Sequence, residues 1–464
     1  MLKQEEHRGF WHPVDRPDIR FHATLSFSPD KSPRLKGGMT FDAEQAKYLQ
    51  TAKDITIWGK LLGGQLVTLF QCNKIGLLIP FPGHQDIETN AHTVIFGVHC
   101  KQDQAIVHRA RVSYTVLSEW MGIFGHQINP TGTMDTAELS YRMPADIPFS
   151  INEQLSGAFS FKLHWKNKGP SVIFRQENFL FLDQSEPVVY KKVQGEVWSI
   201  QRFLTIATWQ QTNISDFAVK VSIPGSEEAE DQFKWCRVFF RQSTYGHAEE
   251  ENDEYLFRFA LLQSSIEPLL QNWFKLETVT EPVISLLIAN IGRGDEFVTN
   301  NFLNLVQAVE AFHRHVKQDT AQLEAEHQVL MERILQQVCG TEDKKWLEEK
   351  LAYAFEPSLR KRLKEIFAQH RSHVLCDKDL SNKEVARLIG LIGDKRNYYT
   401  HYGKKLEPKE PDFLQLVTLT QMLRVLLAAM IFRELGMTKE ELENRIPSRF
   451  KTRLVKKQDN GQES

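Results

Sequence analysis

The stretch FSFKLHW, residues 159–165, alternates apolar and polar side chains along its whole length. Successive side chains of a β-strand point to opposite faces, so this alternation predicts a strand with one buried face. The apolar positions are Phe159, Phe161, Leu163 and Trp165. Such a strand needs neighbouring strands with which to pair, and the sequence on either side contains candidates for them.

The first half of the chain contains several further short runs that are typical of strands. Turn residues such as Gly63, Gly64 and Pro80 separate them. The runs cover residues 55–58, 65–70, 92–98, 105–117 and 217–223. The segment 192–209 instead has apolar residues at helical spacing and predicts one long helix. Many short strands between turns predict an antiparallel, sandwich-like β-rich domain over residues 1–250.

The chain changes character at the acidic stretch EEENDE, residues 249–254, which we interpret as a solvated loop, like the earlier acidic stretch 226–231. The segments beyond it have helical spacing and cover residues 264–276, 302–316, 343–355, 381–405 and 411–435. Ser381 and Glu384 form a capping box that predicts a helix start at the fourth of these segments. We therefore predict an α+β protein of two domains. The second is an all-α helical bundle over residues 251–455, with bridging helices at 251–300, and a disordered tail follows at 456–464.

Bulk composition excludes several classes of protein. The 464 residues are 41% hydrophobic and 25% charged, which excludes a mainly disordered chain, and 464 residues are too many for a single core. Because the net charge is only -2, nucleic-acid binding would need a local basic patch, for which residues 359–364 and 449–457 are candidates. The five cysteines form no CxxC pair and indicate neither a disulfide framework nor a zinc site. With a charged N-terminus, these features favour a cytoplasmic protein.

One segment, residues 413–432, is long and apolar enough to resemble a membrane span. Arg424 lies at its middle, where an arginine costs about 3 kcal/mol in a bilayer. Pro411 precedes the segment and Gly436 follows it, as is typical of helices in soluble proteins. We therefore predict a buried bundle helix and no membrane partner.

The decapeptide RNYYTHYGKK, residues 396–405, is either the polar edge of a helix or part of a catalytic site. After Gly390 and Gly393, we expect Asp394 to cap a new helix, so that Arg396 would lie in its first turn, where N–H groups bind anions. Arginine stabilises charge on phosphorus, and histidine transfers protons near neutral pH. On a regular helix, however, Arg396 and His401 are about 140° apart. A compact site would need a break in the helix, long side chains or a second protomer.

Three groups of motifs carry a resemblance to a known family. RNYYTH matches the R(N/H/D)x3–5H signature of HEPN ribonucleases, and FLNLVQAVEAFHRH (302–315) is similar to the early helix of the Apea-like HEPN group. GFWHP (9–13), TIWGK (56–60) and QLVTLFQC (65–72) resemble the β-rich N-terminal domain of ApeA-type proteins. The resemblance implies an antiphage abortive-infection protein that cleaves RNA without a metal or other cofactor.

The resemblance also implies roles for individual residues. Arg396 would stabilise charge on the phosphate, His401 would transfer protons, and Asn397 would orient the site. Glu310 stands at the acidic position of the early helix and is expected to pair with Arg396 or His401. HEPN domains commonly dimerise with their motifs facing, so we expect a homodimer or a higher homo-oligomer, which would bring two histidines together.

The residues around the motif are compatible with an RNA substrate. Aromatic rings stack on bases and lysines meet phosphates, so the candidates are Tyr398, Tyr399, Tyr402, Lys404 and Lys405. The alternative is a non-catalytic HEPN scaffold that binds RNA, a nucleotide or a protein partner.

The β-rich domain is the candidate recognition module. It would sense a phage-derived trigger or, as a lesser hypothesis, bind carbohydrate on a platform of Trp58, Trp120 and Trp165, although tryptophans in a sandwich core are usually buried.

Overall fold

The structure is a computed structural model. It describes residues 4–28, 30–39, 42–73, 76–81, 84–101, 104–130, 137–222, 233–242, 255–291, 297–316, 320–352, 356–376, 380–401 and 413–453. The chain divides into two compact units, Met1–Gln271 and Asn272–Ser464. The predicted boundary near residue 250, both acidic stretches and the predicted tail lie outside the described residues.

The strands of the described part of the chain all lie in the first unit. Their bounds are β1 Glu5–Pro13, β2 Phe21–Ser28, β3 Lys31–Met39, β4 Ile55–Leu61, β5 Leu66–Cys72, β6 Gly76–Phe81, β7 His84–Asn90, β8 Thr93–Phe96, β9 Ile106–Tyr114, β10 His126–Pro130, β11 Ala137–Tyr141, β12 Ile147–Ser150, β13 Leu155–Asn167, β14 Val172–Val189, β15 Ile214–Ser222 and β16 Phe233–Phe240. The β10–β11 hairpin forms a sheet of its own. The other strands are hydrogen-bonded in the order β12-β13-β14-β9-β15-β16-β8-β5-β4-β1-β2-β3-β7-β6. Every pairing between these strands is antiparallel, which confirms the prediction of an antiparallel β-rich domain.

Alternating burial explains why these segments form strands. In β2, every second residue from Phe21 to Phe27 is buried, and these side chains join a core that includes Trp11, Leu25 and Val67. Residues 159–165 lie in β13, as predicted, and Phe159 pairs with Leu180 of β14.

The alternation does not persist along the whole of β13. Phe159 and Phe161 are buried, but so is Ser160, and Trp165 is 67% exposed. The far end of β13 therefore does not bury its apolar face, contrary to the prediction.

The helices of the first unit are α1 Ala43–Thr51, α2 Leu117–Met121 and α3 Tyr190–Thr208, followed by the short α4 Phe259–Leu262. The predicted helix at 192–209 is confirmed as α3, which ends at Trp209 in the left-handed conformation. Trp120 of α2 is 1% exposed, and its indole Nε1 donates to Phe257 O across 2.8 Å. Because Trp120 is buried and Trp165 is exposed, the three tryptophans do not form the hypothesised platform.

The remaining helices are α5 Ile266–Asn290, α6 Val298–Val316, α7 Thr320–Leu335, α8 Thr341–Leu351, α9 Leu359–Val374, α10 Asn382–His401, α11 Phe413–Glu434 and α12 Lys439–Arg445. α5 crosses the division between the units, and the others belong to the second unit. The α+β, two-domain prediction is thereby confirmed.

The central helix of the second unit is α11, which packs against α6, α9 and α12. It is the single described helix with the length and composition of a membrane span, and its apolar window is 72% buried inside the protein. Arg424 is only 4% exposed. The prediction of a buried bundle helix is confirmed.

Candidate active site

The helix that carries the Arg–His motif, α10, begins as the sequence predicts. The Ser381 N–H donates to Glu384 Oε2 across 2.8 Å, and the Glu384 N–H donates to Ser381 Oγ across 3.3 Å. Such a capping box satisfies N–H groups that have no partner within the helix. Leu388, Ile389 and Ile392 then form the buried face of α10.

The predicted break at Asp394 is wrong. α10 runs without interruption from Asn382 to His401, through Gly390 and Gly393. Asp394 does not cap a new helix; its Oδ1 accepts a hydrogen bond of 2.6 Å from Arg360 Nη2 on α9. Two glycines weaken a helix by about 1 kcal/mol each, but burial of the apolar face keeps it intact.

The continuity of α10 determines where the motif lies. Arg396 is in the interior of the helix, so the backbone N–H groups around it belong to the helical ladder and offer no first-turn anion site. Arg396 and His401 are separated by about 140° around the axis and by roughly 7.5 Å along it. Of the three routes to a compact site, the break in the helix is therefore excluded, and long side chains or a second protomer remain.

The side chains of the motif are accessible to solvent. Arg396 and Asn397 are half-buried, and His401 is exposed. Arg396 Nη1 donates to Asn397 Oδ1 across 3.1 Å, so the amide holds the guanidinium on the surface of α10. Because the asparagine oxygen accepts from Arg396, its NH₂ group is left to donate to another ligand.

Glu310 lies on α6, in a cluster of alternating charges. Its Oε1 is 3.9 Å from Arg314 Nη2 and 3.9 Å from Arg362 Nε. Glu356 Oε2 is 2.7 Å from Arg314 and 3.6 Å from Arg362. Since Arg362 is 2% exposed, its charge needs these carboxylates. Among the described residues, Glu310 thus pairs with these arginines and not with either residue of the motif, which corrects the predicted pairing.

The candidate RNA-binding residues are only partly described. Tyr398 and Tyr399 are half-buried, with ring centroids 5.1 Å apart and ring planes at 68°. Tyr402, Lys404 and Lys405 lie outside the described residues. The two tyrosines leave part of each ring accessible for stacking.

The described parts of the two candidate basic patches contain cations that have structural partners. Within residues 359–364, Arg360 pairs with Asp394 and Arg362 is buried beside carboxylates, whereas Lys361 and Lys364 are exposed. Residues 454–457 of the second patch lie outside the described residues. In the second patch, Lys451 Nζ donates to the carbonyl oxygens of Ser372 and Glu443. These partners are not visible in the sequence, because Asp394, Glu310 and Ser372 are distant along the chain from the cations that they contact.

Three of the five cysteines are placed where burial disfavours the nucleophilic thiolate. Cys72, Cys100 and Cys236 are buried and free. Burial raises the pKa of Cys100 to about 12 and that of Cys236 to about 11. In the described part of the chain, no group of three or more His, Cys, Asp or Glu residues is arranged to hold a metal ion.

Two family models match the chain over the units described above. ApeA N-terminal domain 1 matches residues 6–273, and Apea-like HEPN matches residues 303–441. The second match begins in α6 and contains the whole of α10. No curated protein and no solved structure is significantly similar to the chain. The first model alone covers more than half of the sequence, and the chain therefore belongs to the ApeA family, as an ApeA-type protein with a C-terminal Apea-like HEPN domain.

Proposed function

We propose that this protein is a metal-independent endoribonuclease of the HEPN type that acts in abortive-infection defence against phage. The family assignment supports a nuclease-type antiphage protein. The observation that carries the finer proposal is the arrangement on α10, where Arg396 is held by Asn397 at the surface and His401 is exposed at the end of the same described helix.

The chemistry follows from the two side chains. Attack of a ribose 2′-OH on the adjacent phosphate needs a group that removes the hydroxyl proton and one that protonates the leaving 5′-oxygen. Histidine is suited to both transfers near neutral pH. The Arg396 guanidinium would stabilise the charge that develops on the phosphate oxygens, and the products would be a 2′,3′-cyclic phosphate and a 5′-hydroxyl.

A second protomer completes this proposal. One His401 does not supply a separate acid and base, and the helical geometry turns Arg396 and His401 away from each other on a single α10. In a homodimer with facing motifs, Arg396 of one protomer would lie beside His401 of its partner. The substrate phosphate would then lie between the two.

The cleavage experiment uses the purified full-length chain, total cellular RNA and excess EDTA. We expect cleavage products that end in 2′,3′-cyclic phosphate. His401→Ala should lower the rate about 10²–10⁴-fold, as loss of a general acid or base does, and Arg396→Ala about 10²–10³-fold.

Matched controls separate catalysis from folding. Arg387 is an exposed arginine on α10, and His315 is an exposed histidine at the end of α6. Arg387→Ala and His315→Ala should retain wild-type cleavage. RNA binding without cleavage in the wild type would instead support the scaffold hypothesis, and cleavage by His401→Ala at the wild-type rate would reject the catalytic role of His401.

In the cell, the proposal requires that cleavage be restrained until infection. We propose that the protein acts in the cytoplasm and that a phage-derived trigger acts on the β-rich N-terminal unit and releases the nuclease. Phage mutants that escape defence should then carry changes in the trigger. Co-expression of that phage protein with the wild type should arrest growth, whereas co-expression with His401→Ala should not.

A further inference from the structure

A pair of histidines on α9 borders two adjacent cavities of the helical unit, away from the motif on α10. The smaller cavity is about 100 Å³, and its lining includes His313, His370 and Glu434. The larger is about 370 Å³ and is lined by Ala368, Gln369, His370, His373, Arg433 and Lys439. We call the larger one the histidine cavity. Its volume is within the range of small-ligand sites.

The hydrogen bonds of the pair determine which ring nitrogens carry protons. His373 Nε2 lies 3.1 Å from the Lys439 carbonyl oxygen, which only accepts, so Nε2 of His373 is protonated. His373 Nδ1 is 3.2 Å from His370 Nδ1. With His373 neutral, its Nδ1 accepts and His370 Nδ1 donates.

The remaining ring nitrogen, His370 Nε2, is therefore an unprotonated acceptor when the pair is neutral. His370 is 5% exposed, and in the described part of the chain its Nε2 has no hydrogen-bond partner. A proton added at this atom would leave both existing hydrogen bonds intact. The cavity thus contains a buried imidazole that becomes a donor on gaining one proton.

The charges around the histidine cavity have one sign. Arg433 and Lys439 line it, and none of its described lining residues is acidic. The groups that face His370 are His373 on its own helix, His313 on α6, Arg433 on α11 and Lys439 on α12. The nearby carboxylates do not line the histidine cavity: Glu365 is 3.3 Å from His313, Glu434 lines the smaller cavity, and Glu443 acts on His373. Burial and these positive neighbours lower the pKa of His370 to about 4.

We propose that the histidine cavity binds a phosphomonoester of nucleotide size, with Arg433 and Lys439 contacting the phosphate oxygens and His370 Nε2 gaining a proton on binding and donating it in a hydrogen bond. The excess positive charge favours an anion. Arginine and lysine are the usual ligands of phosphate, and charge-assisted hydrogen bonds to it are strong. The volume leaves room for the sugar and base beyond the phosphate.

The test is calorimetric titration of the full-length protein with 5′-AMP, with adenosine and with inorganic phosphate. We expect 5′-AMP to bind with a Kd of about 1 mM or tighter, adenosine not to bind, and phosphate to bind more weakly than 5′-AMP. Titrations near pH 7.5 in two buffers of different ionisation enthalpy should show uptake of about one proton.

Variants assign the binding to the cavity. Lys439→Gln and Arg433→Gln remove exposed cations and should each weaken 5′-AMP binding about tenfold. His370→Asn retains a donor toward His373 and should abolish the proton uptake. Lys364 is an exposed lysine on α9 outside the cavity, so Lys364→Gln should bind 5′-AMP as tightly as the wild type does.

The test is independent of the proposed nuclease. Arg396→Ala should retain 5′-AMP binding, because its side chain does not line the histidine cavity. The proposal is overturned if 5′-AMP does not bind the folded wild type, if adenosine binds as tightly as 5′-AMP, or if Arg433→Gln and Lys439→Gln leave the affinity unchanged. Loss of binding in Arg396→Ala alone would place the ligand at the motif and would also overturn it.

Discussion

Arg396 Nη1 and Asn397 Oδ1 are joined by a hydrogen bond of 3.1 Å between neighbouring residues of α10. The asparagine side chain thereby limits the positions of the guanidinium, which would otherwise sample many rotamers. If Arg396 stabilises phosphate charge, its placement matters as much as its charge.

The first prediction concerns this hydrogen bond. Asn397→Ala should lower the rate of RNA cleavage about tenfold, which corresponds to roughly 1.4 kcal/mol of transition-state stabilisation. Asn397→Asp keeps the acceptor for Arg396 and still fits the R(N/H/D) pattern of the motif, so it should cleave faster than Asn397→Ala. Single-turnover cleavage rates measure both. Wild-type rates in Asn397→Ala would show that Asn397 does not position Arg396.

The second prediction tests whether two protomers share a site. The site between two facing motifs needs a histidine from each protomer, so a dimer of one wild-type and one His401→Ala protomer lacks either the acid or the base. After subunit exchange, a mixture of equal amounts of wild type and His401→Ala should therefore cleave at about one quarter of the rate of the same total amount of wild type, because only the pure wild-type dimers are active. If each protomer contained a complete site, the mixture would keep about one half of that rate.

The third prediction concerns the continuity of α10. A Cβ at residue 390 would meet no atom within 4 Å, whereas one at residue 393 would lie 3.2 Å from Arg360 Nε. Gly390→Ala should therefore increase the free energy of unfolding by about 0.5–1 kcal/mol. Gly393→Ala should gain less, because Arg360 must shift. Chemical denaturation measures the difference, and destabilisation by Gly390→Ala would contradict an unbroken helix.

The fourth prediction concerns the charge cluster around Arg362. Glu310→Gln leaves Glu356 as a partner and should lower the free energy of unfolding by only about 1 kcal/mol. The double variant Glu310→Gln, Glu356→Gln leaves the buried guanidinium without a carboxylate and should cost about 3–5 kcal/mol. Denaturation of the double variant and of both single variants, Glu310→Gln and Glu356→Gln, tests this non-additivity. Equal stability of Glu310→Gln and the double variant would show that Glu356 does not share the role. Glu310→Gln should keep near-wild-type cleavage if its contacts are structural.

The fifth prediction is a pH dependence of stability. The pKa of His370 is about 4 in the folded protein and about 6.5 in an unfolded chain, so the unfolded chain binds more protons between these values. The neutral His370 contributes to stability above pH 6.5, and this contribution is lost as the pH falls towards 4. The free energy of unfolding should fall by about 3 kcal/mol over this range.

The matched variant isolates this histidine from the other acid-titrating groups. In urea denaturation, the free energy of unfolding of His370→Asn should fall by about 2–3 kcal/mol less than that of the wild type between pH 7.5 and pH 4.5. Identical pH dependence in the two proteins would mean that His370 does not titrate as its burial indicates.

Local patterns made much of the fold predictable. The strand at residues 159–165, the helix α3 and the capping box at the start of α10 all depend on residues close together in the chain. The sequence did not predict α7 or α9 as helices. α7 has a weak apolar face. The start of α9 is rich in lysine and arginine and therefore resembles an exposed basic patch in the sequence, although Arg360 and Arg362 pair with carboxylates in the structure.

The sequence by itself determined the two-part α+β organisation, the buried central helix and the chemical identity of the Arg–His motif, because periodicity and residue type are local properties. Only the tertiary structure decided that α10 continues past Asp394, that Glu310 pairs with Arg314 and Arg362, and that two histidines meet at a cationic cavity. Asp394, Glu310 and His373 each have a partner far away in sequence: Arg360, Arg362 and Lys439, respectively. Charges and hydrogen bonds between distant residues are set by packing, and no local pattern records them.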